Sequence, residues 1–198
     1  CYLTEEFAGK YDKELRGWNY ELISENVCRH LSDTKTPQGV IAVVRREEPD
    51  IGELINKEKN PCFFLLESLQ DPGNLGTIVR TAEGAGVTGI IMNKETVDIY
   101  NPKVIRSTMG AIFRVPFVIT DDLPQVVEQL KQKGISVYAG HLKGDVFYKQ
   151  DYRNGSAFLI GNEGNGLTDE ITALADHKIK ITMKGKVESL NAAVSATI

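Results

Sequence analysis

The sequence of 198 residues lacks the features of membrane proteins and of secreted proteins held together by disulfides. No apolar run approaches the roughly 18 to 20 residues that a membrane-spanning helix needs, and the N-terminal segment lacks the basic-then-apolar layout of a signal peptide. The cysteines, Cys1, Cys28 and Cys62, are far apart, and no two have the spacing of a zinc-binding pair. We therefore expect a cytoplasmic protein with reduced, structural cysteines and no bound metal.

Several motifs of nucleotide and hydrolase chemistry are also missing. No P-loop and no GxSxG string occurs, and the histidines, His30, His141 and His177, are isolated in the sequence. The string "GAGVTG", residues 84–89, has the GxGxxG spacing, but it follows a predicted helix and leads into a predicted strand. Dinucleotide binding needs the reverse order, in which a helix N-terminus faces the pyrophosphate. Hydrolase and dinucleotide functions therefore have little support.

A basic excess is missing too, since the formal net charge is −4 and the pI is near 5.5. This argues against a general nucleic-acid binder, whose surface usually carries an excess of Lys and Arg. Local basic clusters do occur, at Arg45 and Arg46 and again at Lys103, Arg106 and Arg114. Such clusters are most often solvated surface, so charge alone identifies no partner.

From Phe63 onward, strand-like and helix-like segments alternate. Leu75, Ile78, Val79 and Ala82 follow helical spacing. The predicted strands are "FFLLES", "GIIM", "VPFVIT", "SVYAGH", "AFLIGN" and "HKIKITM", and the predicted helices are "LGTIVRTAEGAGV", "NPKVIRSTMGAI", "DLPQVVEQLKQKG" and "LTDEITALA". This order predicts an α/β fold with a mainly parallel six-stranded sheet and helices on both faces.

Residues 1–48 show a different pattern, with a predicted helix in "NYELISENVCRHLSDT" and a strand in "QGVIAVV". The part is too short to be a well-packed domain alone. Residues 49–62 are charged and poor in apolar side chains, which predicts a linker or a peripheral helix, and residues 63–198 form the α/β domain. The final "SLNAAVSATI" stops within a helical pattern, so we expect a truncated C-terminal helix.

Three polar clusters follow predicted strands. In "FLIGNEGNGLTDE" an apolar run ends in glycines around Glu163, which indicates either a simple turn or a backbone that closely approaches a ligand. In "LQDPGNLGTIVRTAEGAG", Asn74 and Arg80 are either a helix cap and a solvated charge or two polar groups beside a ligand crevice. In "ITMKGKVESLNAAVSATI", Ser189 and Asn191 in a predicted first helical turn suit capping or ligand contact. Each simpler interpretation is favoured when its cluster is considered alone.

Taken together, "DPGNLGTIVRTAEGAG", "LIGNEGNGL" and "ITMKGKVESLNAAVSA" resemble the three motifs of the SpoU/TrmH family of RNA ribose 2′-O-methyltransferases, part of the SPOUT superfamily. Their order and internal spacing are kept, and the resemblance covers the chain from about Phe63 onward. "SENVCRHLSDTKTPQGVIAVVRR" also resembles the end of the L30e-like RNA-binding domain that precedes the catalytic domain in many members. One departure is Ala192 and Ala193, where many members carry Val-Ser, and we expect only a small change in packing.

The resemblance implies a fold and a cofactor that the residue patterns alone do not give. Members of the family tie the C-terminal part of the sheet into a trefoil knot, a rare exception to unknotted chains. S-adenosylmethionine binds bent in that knot, held largely by backbone groups. The positions implied for cofactor binding are Gly161, Ile181 and Leu190, with Gly140 and Met183 as weaker candidates.

The resemblance also implies catalytic residues, namely Arg80, Asn74, Glu163, Ser189 and Asn191. Arg80 would act on the ribose hydroxyl with an RNA phosphate. Because a guanidinium keeps its proton at neutral pH, orienting the phosphate and ribose is the favoured role. Asn74 and Glu163 would hold Arg80 or the ribose, and Ser189 and Asn191 would fix the knot loop and the substrate.

The implied substrate is RNA, ribosomal RNA more than transfer RNA, and the implied assembly is a homodimer whose active site combines both subunits. Three alternatives stay open: a non-catalytic RNA-binding relative, a plain nucleotide- or flavin-binding α/β domain, and the SPOUT branch that methylates base nitrogens. The retention of Arg80 and Glu163 argues against the first alternative. "ESLQDPGN" does not resemble a phosphate-cradling turn, and the third branch carries different motifs.

Overall fold

The computed structural model describes residues 1–45 and 49–198 and divides the chain into two compact units, Cys1–Glu47 and Glu48–Ile198. Arg46, part of the first basic cluster, lies outside the described residues, as does the predicted boundary at residue 48. Each unit contains its own sheet.

The first unit has a small three-stranded sheet in the order β2-β1-β3. Its elements are β1 (Tyr2–Leu3), α1 (Glu5–Lys10), β2 (Glu21–Leu22), α2 (Glu25–Leu31) and β3 (Val40–Ile41). The single helix predicted over "NYELISENVCRHLSDT" is wrong at its start, because β2 pairs there with β1. The helix begins only after Ser24, whose hydroxyl caps it by accepting a hydrogen bond from the Val27 N–H (3.3 Å).

The second unit contains a six-stranded sheet in the order β6-β5-β4-β8-β7-β9, and all of its strand pairs are parallel. Its strands are β4 (Cys62–Leu66), β5 (Gly89–Asn93), β6 (Phe117–Thr120), β7 (Ser136–Val146), β8 (Ser156–Ile160) and β9 (His177–Lys180). Its α-helices are α3 (Ile51–Ile55), α4 (Pro72–Ala85), α5 (Pro102–Ser107), α6 (Leu123–Gln132), α7 (Asp169–Leu174) and α8 (Ala192–Thr197). The predicted parallel six-stranded sheet is confirmed.

Both faces of this sheet are buried under helices, which is why the strand sequences are nearly continuous apolar runs. In β4, Phe63 and Leu65 point to one face and Phe64 and Leu66 to the other, as the two-residue period of a strand requires. Helices α3, α6 and α7 cover the first face, and α4, α5 and α8 cover the second.

Several predicted boundaries agree with the structure, and others differ. Asn101 caps α5, and Gly134 follows α6 in the left-handed region (φ +75°). The "GAGVTG" string joins the end of α4 to the start of β5, as predicted. Strand β9 ends at Lys180, earlier than predicted, so Ile181 and Met183 lie beyond it.

Residues 1–45 and 49–198 contain neither a candidate membrane span nor a candidate metal cluster. None of the helices there has the length and apolar character needed to cross a bilayer. No group of three or more His, Cys, Asp or Glu side chains in those residues is placed to hold a metal ion.

Substitutions at two glycines of α4 would show how tightly each side of this helix is packed. A Cβ on Gly76 would lie 1.7 Å from Ser107 Oγ and 2.9 Å from the Val104 carbonyl oxygen, whereas a Cβ on Gly84 would meet no atom within 4 Å. We expect Gly76→Ala to destabilise the protein by about 1–3 kcal/mol through overpacking. Gly84→Ala should stabilise it by about 0.5–1 kcal/mol, because alanine is the better helix former. Urea unfolding of both variants measures the difference, and equal effects would contradict this packing.

Candidate active site

The candidate site lies at the carboxyl ends of β4 and β8, which are neighbours in the sheet. From β4 the sheet extends through β5 to β6 on one side, and through β8 to β7 and β9 on the other. Open α/β sheets bind ligands at such a reversal of strand order, outside the carboxyl ends of the strands. The β4 loop (residues 67–71) and the β8 loop (residues 161–168) meet here.

The carboxylate of Glu163 joins these two loops. Its Oε1 accepts hydrogen bonds from the Asp71 N–H (3.0 Å) and from Asn74 Nδ2 (2.9 Å), and its Oε2 accepts one from the Gln70 N–H (3.0 Å). A single side chain of the β8 loop therefore binds three donors of the β4 loop and of the first turn of α4. Glu163 and Asn74, two of the predicted catalytic residues, are brought into direct contact.

The surroundings of Glu163 hold its carboxylate in the charged form. Burial raises its pKa, but the hydrogen bonds from Asn74, Gln70 and Asp71 together outweigh burial, so the pKa lies below the ordinary value of 4.5. A carboxylate that is already bound by three donors and has a lowered pKa is a poor proton acceptor near neutral pH. This geometry suits Glu163 to positioning the loops.

Asn74 is buried and continues the network to the third motif. Its side-chain oxygen accepts a hydrogen bond from Asn191 Nδ2 (2.8 Å), while its Nδ2 donates to Glu163. The interpretation of Asn74 as a simple N-cap is wrong, since Asp71 caps α4 and accepts from the Asn74 N–H (2.9 Å). Asn191 also has the capping function predicted for it, because its side-chain oxygen accepts from the Ala193 N–H (2.9 Å) at the start of α8.

A second carboxylate, Glu67, also joins these two loops. It belongs to the β4 loop and binds a residue of the β8 loop, whereas Glu163 belongs to the β8 loop and binds the β4 loop. The two oxygens of Glu67 accept hydrogen bonds from the N–H (2.8 Å) and the hydroxyl (2.7 Å) of Thr168. Asn162 Nδ2 adds a bond to the Ser68 carbonyl oxygen (2.8 Å). Neither the contact of Glu67 with Thr168 nor that of Asn162 with Ser68 was predicted from the sequence. The available signal was a carboxylate directly after an apolar strand, which by itself does not indicate its partner.

Glycine at position 161 is required by the β8 loop itself. A Cβ there would lie 2.3 Å from the Gly166 carbonyl carbon and 2.3 Å from the Leu167 nitrogen. The loop folds back on itself through the paired backbone bonds of Asn162 and Gly166 (2.9 and 3.0 Å). The sequence interpretation attributed this glycine to close approach by a cofactor, and the structure supplies a reason within the chain.

Arg80 and Ser189 are not part of this hydrogen-bonded cluster. Arg80 is exposed and lies six residues after Asn74 on α4, which places it about 9 Å further along the helix and about 120° around its axis. The expectation that Asn74 and Glu163 hold Arg80 is not met, since these two side chains bind each other. Ser189 is exposed in the loop before α8, so its predicted position in the first helical turn is wrong.

The residues predicted to bind a cofactor lie around the carboxyl ends of β8 and β9 and at the middle of β7, the strand between them. Gly140 belongs to β7, Gly161 follows β8, and Ile181 follows β9. A Cβ on Gly140 would find its nearest atom, the Leu159 carbonyl oxygen, at 3.8 Å. The backbone at Gly140 is exposed and therefore leaves room for a ligand.

The loop between β9 and α8 adds apolar side chains to this region. Ile181, Met183 and Leu190 are half-buried there. Binding sites for small molecules combine such apolar contacts with a few polar backbone groups. The residues present therefore fit an adenosine group, which has apolar ring faces and a hydrogen-bonding edge.

Comparisons with known proteins identify relatives over most of the chain. The SpoU rRNA Methylase family model matches residues 61–198. The chain is 35% identical over 178 residues to the 23S rRNA (guanosine(2553)-2′-O)-methyltransferase RlmP of Bacillus subtilis, covering 89% of this chain and 69% of the relative. It is 32% identical to the uncharacterized tRNA/rRNA methyltransferase slr1673 of Synechocystis, covering 89% of this chain and 64% of the relative.

A solved structure is similar across both units. The SpoU methyltransferase AviRb from Streptomyces viridochromogenes, in complex with the cofactor AdoMet, has a TM-score of 0.85 at 28% identity. The match covers 99% of this chain and 78% of AviRb. AdoMet is S-adenosylmethionine, the cofactor that the sequence resemblance implies.

The Glu163 contacts give a prediction for stability and pH. We expect Glu163→Gln to destabilise the protein by about 1 kcal/mol near pH 7, because an amide cannot accept all three donors. The lowered pKa means that this contribution is present above pH 4.5 and is lost as the pH falls through the folded-state pKa. The gap in unfolding free energy between the unmodified chain and Glu163→Gln should therefore close as the pH falls.

Urea unfolding between about pH 7 and pH 3 measures that gap. Glu170→Gln, an exposed position on α7, is the matched control. A gap that stays constant over this range would show that the charge of Glu163 does not bind the loops.

Proposed function

The chain belongs to the SpoU rRNA methylase family of S-adenosylmethionine-dependent RNA methyltransferases, and we propose that it methylates a ribose 2′-hydroxyl of ribosomal RNA with Arg80 at the reaction site. The observation that carries the proposal is the network of Asn74, Glu163 and Asn191, which joins the three sequence motifs at one end of the sheet. The family match supports the reaction type, and this network supports the place of the reaction.

The cofactor would be bound by the middle of β7 and by the carboxyl ends of β8 and β9. We assign it to the backbone at Gly161 and Gly140 and to the side chains of Ile181, Met183 and Leu190. When bound, S-adenosylmethionine supplies an electrophilic methyl group attached to a positively charged sulfur.

The protein's own contribution is positioning and control of a proton. A ribose hydroxyl is a poor nucleophile until its proton is removed, and correct orientation alone is a large term. The exposed guanidinium of Arg80 suits binding a phosphate and orienting the ribose beside it. Asn74 and Glu163 keep the two loops together, and Asn191 ties the third motif to them. Ser189, in the exposed loop before α8, would contact the substrate or fix that loop.

The C-terminal segment is proposed to form the trefoil knot of the family. In support, the chain leaves β9 at the edge of the sheet and returns to pack α8 on α4. Asn191 reaches Asn74 at 2.8 Å, and Thr197 reaches Thr81 at 3.3 Å. Both contacts join residues more than one hundred positions apart, as a threaded segment would need.

Ribosomal RNA is the favoured substrate, and transfer RNA is the second candidate. The relative with 35% identity is named for 23S rRNA, whereas the Synechocystis relative is named for either RNA. The first unit, as the end of an L30e-like domain, would contribute to RNA binding, and an RNA substrate supports action in the cytoplasm.

Removal of the Arg80 guanidinium tests the proposed reaction. Arg80→Ala should lower the rate of methyl transfer by roughly 10²–10³-fold and leave cofactor binding unchanged, because Arg80 belongs to α4, whereas the residues assigned to the cofactor belong to β7 and to the loops after β8 and β9. Tritiated methyl incorporation into unmodified ribosomal and transfer RNA, followed by nuclease digestion, measures the rate and locates the methyl group. Arg153→Ala, at an exposed arginine paired with Asp151, is the control.

The outcomes of this assay separate the alternatives. Cofactor binding without methyl transfer to either RNA would favour a non-catalytic RNA-binding relative. Methyl recovered on a base nitrogen would identify the other branch of the superfamily. Full activity of Arg80→Ala would remove Arg80 from the reaction.

A homodimer is also proposed, formed through the exposed sides of α4 and α8. The support is the exposure of Val194 (48%), on α8, and of Ile198 (54%), which follows α8, next to a helix that carries the site. We expect a dimer in sedimentation velocity and a shift to monomer in Val194→Asp, because a buried charge without a partner is costly. Val44→Asp, in the first unit, is the control. A stable monomer with full activity would refute the dimer.

A further inference from the structure

An exposed apolar patch follows α5. Its members are Ile105, Met109 and Phe113, spaced four residues apart along α5 and the 3-10 turn Ala111–Phe113. Phe113 is 82% exposed and Met109 is 71% exposed. Met109 adopts a left-handed backbone (φ +52°), a conformation that residues other than glycine rarely adopt. Single exposed apolar residues are common, but three in one short segment call for a binding explanation.

Three basic side chains belong to the same segment as this patch, and one of them is paired with a carboxylate. Lys103, Arg106 and Arg114 lie in the same segment, in a chain whose formal net charge is −4. Arg106 is tied to its own helix, since its Nε donates to the Pro102 carbonyl oxygen (3.1 Å). Arg114 is held by Glu83, whose carboxylate accepts from its Nε (2.9 Å). The two arginines are thus oriented by contacts through Nε.

The patch lies beside Arg80. Gly76, Arg80 and Glu83 are at positions i, i+4 and i+7 of α4 and therefore share one side of the helix. Gly76 packs directly on Ser107 at the end of α5, and Glu83 pairs with Arg114 after the 3-10 turn. Arg80 lies between these two contacts, so the segment from Ser107 to Arg114 flanks it.

We propose that Phe113 and Met109, with Arg106 and Arg114, form a platform on which an unpaired RNA base next to the methylated ribose stacks. This rests on the proposed function, because Arg80 orients that ribose. Proteins bind unpaired nucleotides by stacking bases on aromatic rings beside arginines that contact the phosphates. The combination of one exposed ring, one flexible thioether and oriented guanidinium groups matches that chemistry.

A second copy of the chain is the competing occupant of this patch. In a twofold interface the same patch faces itself, which would bring the arginines of the two copies close together. Like charges placed together oppose such association, whereas the phosphates of RNA complement them. The charge of the patch therefore favours RNA.

The test measures RNA binding by the whole 198-residue chain without any methyl transfer. The probe is a fluorescein-labelled single-stranded RNA of twelve nucleotides, read by anisotropy at low salt, with the same sequence as a duplex for comparison. Phe113→Ala should weaken single-strand binding about tenfold, within the range measured for loss of one base stack. Phe113→Trp should retain it. Tyr148→Ala, at another exposed aromatic residue (67% exposed), is the matched control.

Two results would overturn the platform. The first is equal affinity of Phe113→Ala and the unmodified chain for the single-stranded RNA. The second is a dimer that becomes a monomer in the variant, which would make the patch a self-association surface. Sedimentation velocity on the same samples distinguishes these cases. The proposed function fails separately, since it is tested by cofactor binding and by the Arg80 variant. A chain that methylates RNA while Phe113→Ala binds the probe normally would keep the function and lose the platform.

Discussion

The site depends on the hydrogen bonds that the carboxylate of Glu163 accepts. This carboxylate accepts three donors from the β4 loop and α4, and through Asn74 it is linked to Asn191. Three segments far apart in the sequence are thus held by two side-chain amides and one charge. Because charged hydrogen bonds are stronger than neutral ones, this arrangement fixes the loops. The contacts of Glu67 with Thr168 hold the other end of the same loop.

These contacts change the functions expected of the motif residues. The resemblance grouped Arg80 with Asn74 and Glu163, but in the structure Arg80 lies on another side of α4. The cluster of Asn74, Glu163 and Asn191, of which Asn74 is the buried member, holds the protein's own loops, while Arg80 is exposed and is proposed to contact the substrate. Gly161 follows the same pattern, since the β8 loop itself requires the missing Cβ. Under the proposed function, structural support and contact with substrate are thus divided between neighbouring residues.

Much of the fold was predictable because its signals are local. Apolar runs of five residues predict strands buried on both faces, and Asn101 before Pro102 predicts the start of α5. The errors occurred where a distant partner decides the structure. Glu21 and Leu22 form a strand because β1 lies beside them, and Asn74 faces Glu163 rather than capping its helix. Glu67 and Thr168 are far apart in the sequence, and no local pattern indicates that they pair. Only the folded structure could identify this contact.

The sequence separation of the two loops has a consequence for how the protein acquires its site. Thr168 lies 101 residues after Glu67, and Glu163 lies 89 residues after Asn74. Closing such long segments costs chain entropy that a few hydrogen bonds cannot offset alone. Pairing of β4 with β8 must supply the rest, so we expect the site to form late in folding, after the parallel sheet has brought both loops together. A newly synthesised chain therefore has no partial site, and competence for catalysis arises together with the finished sheet.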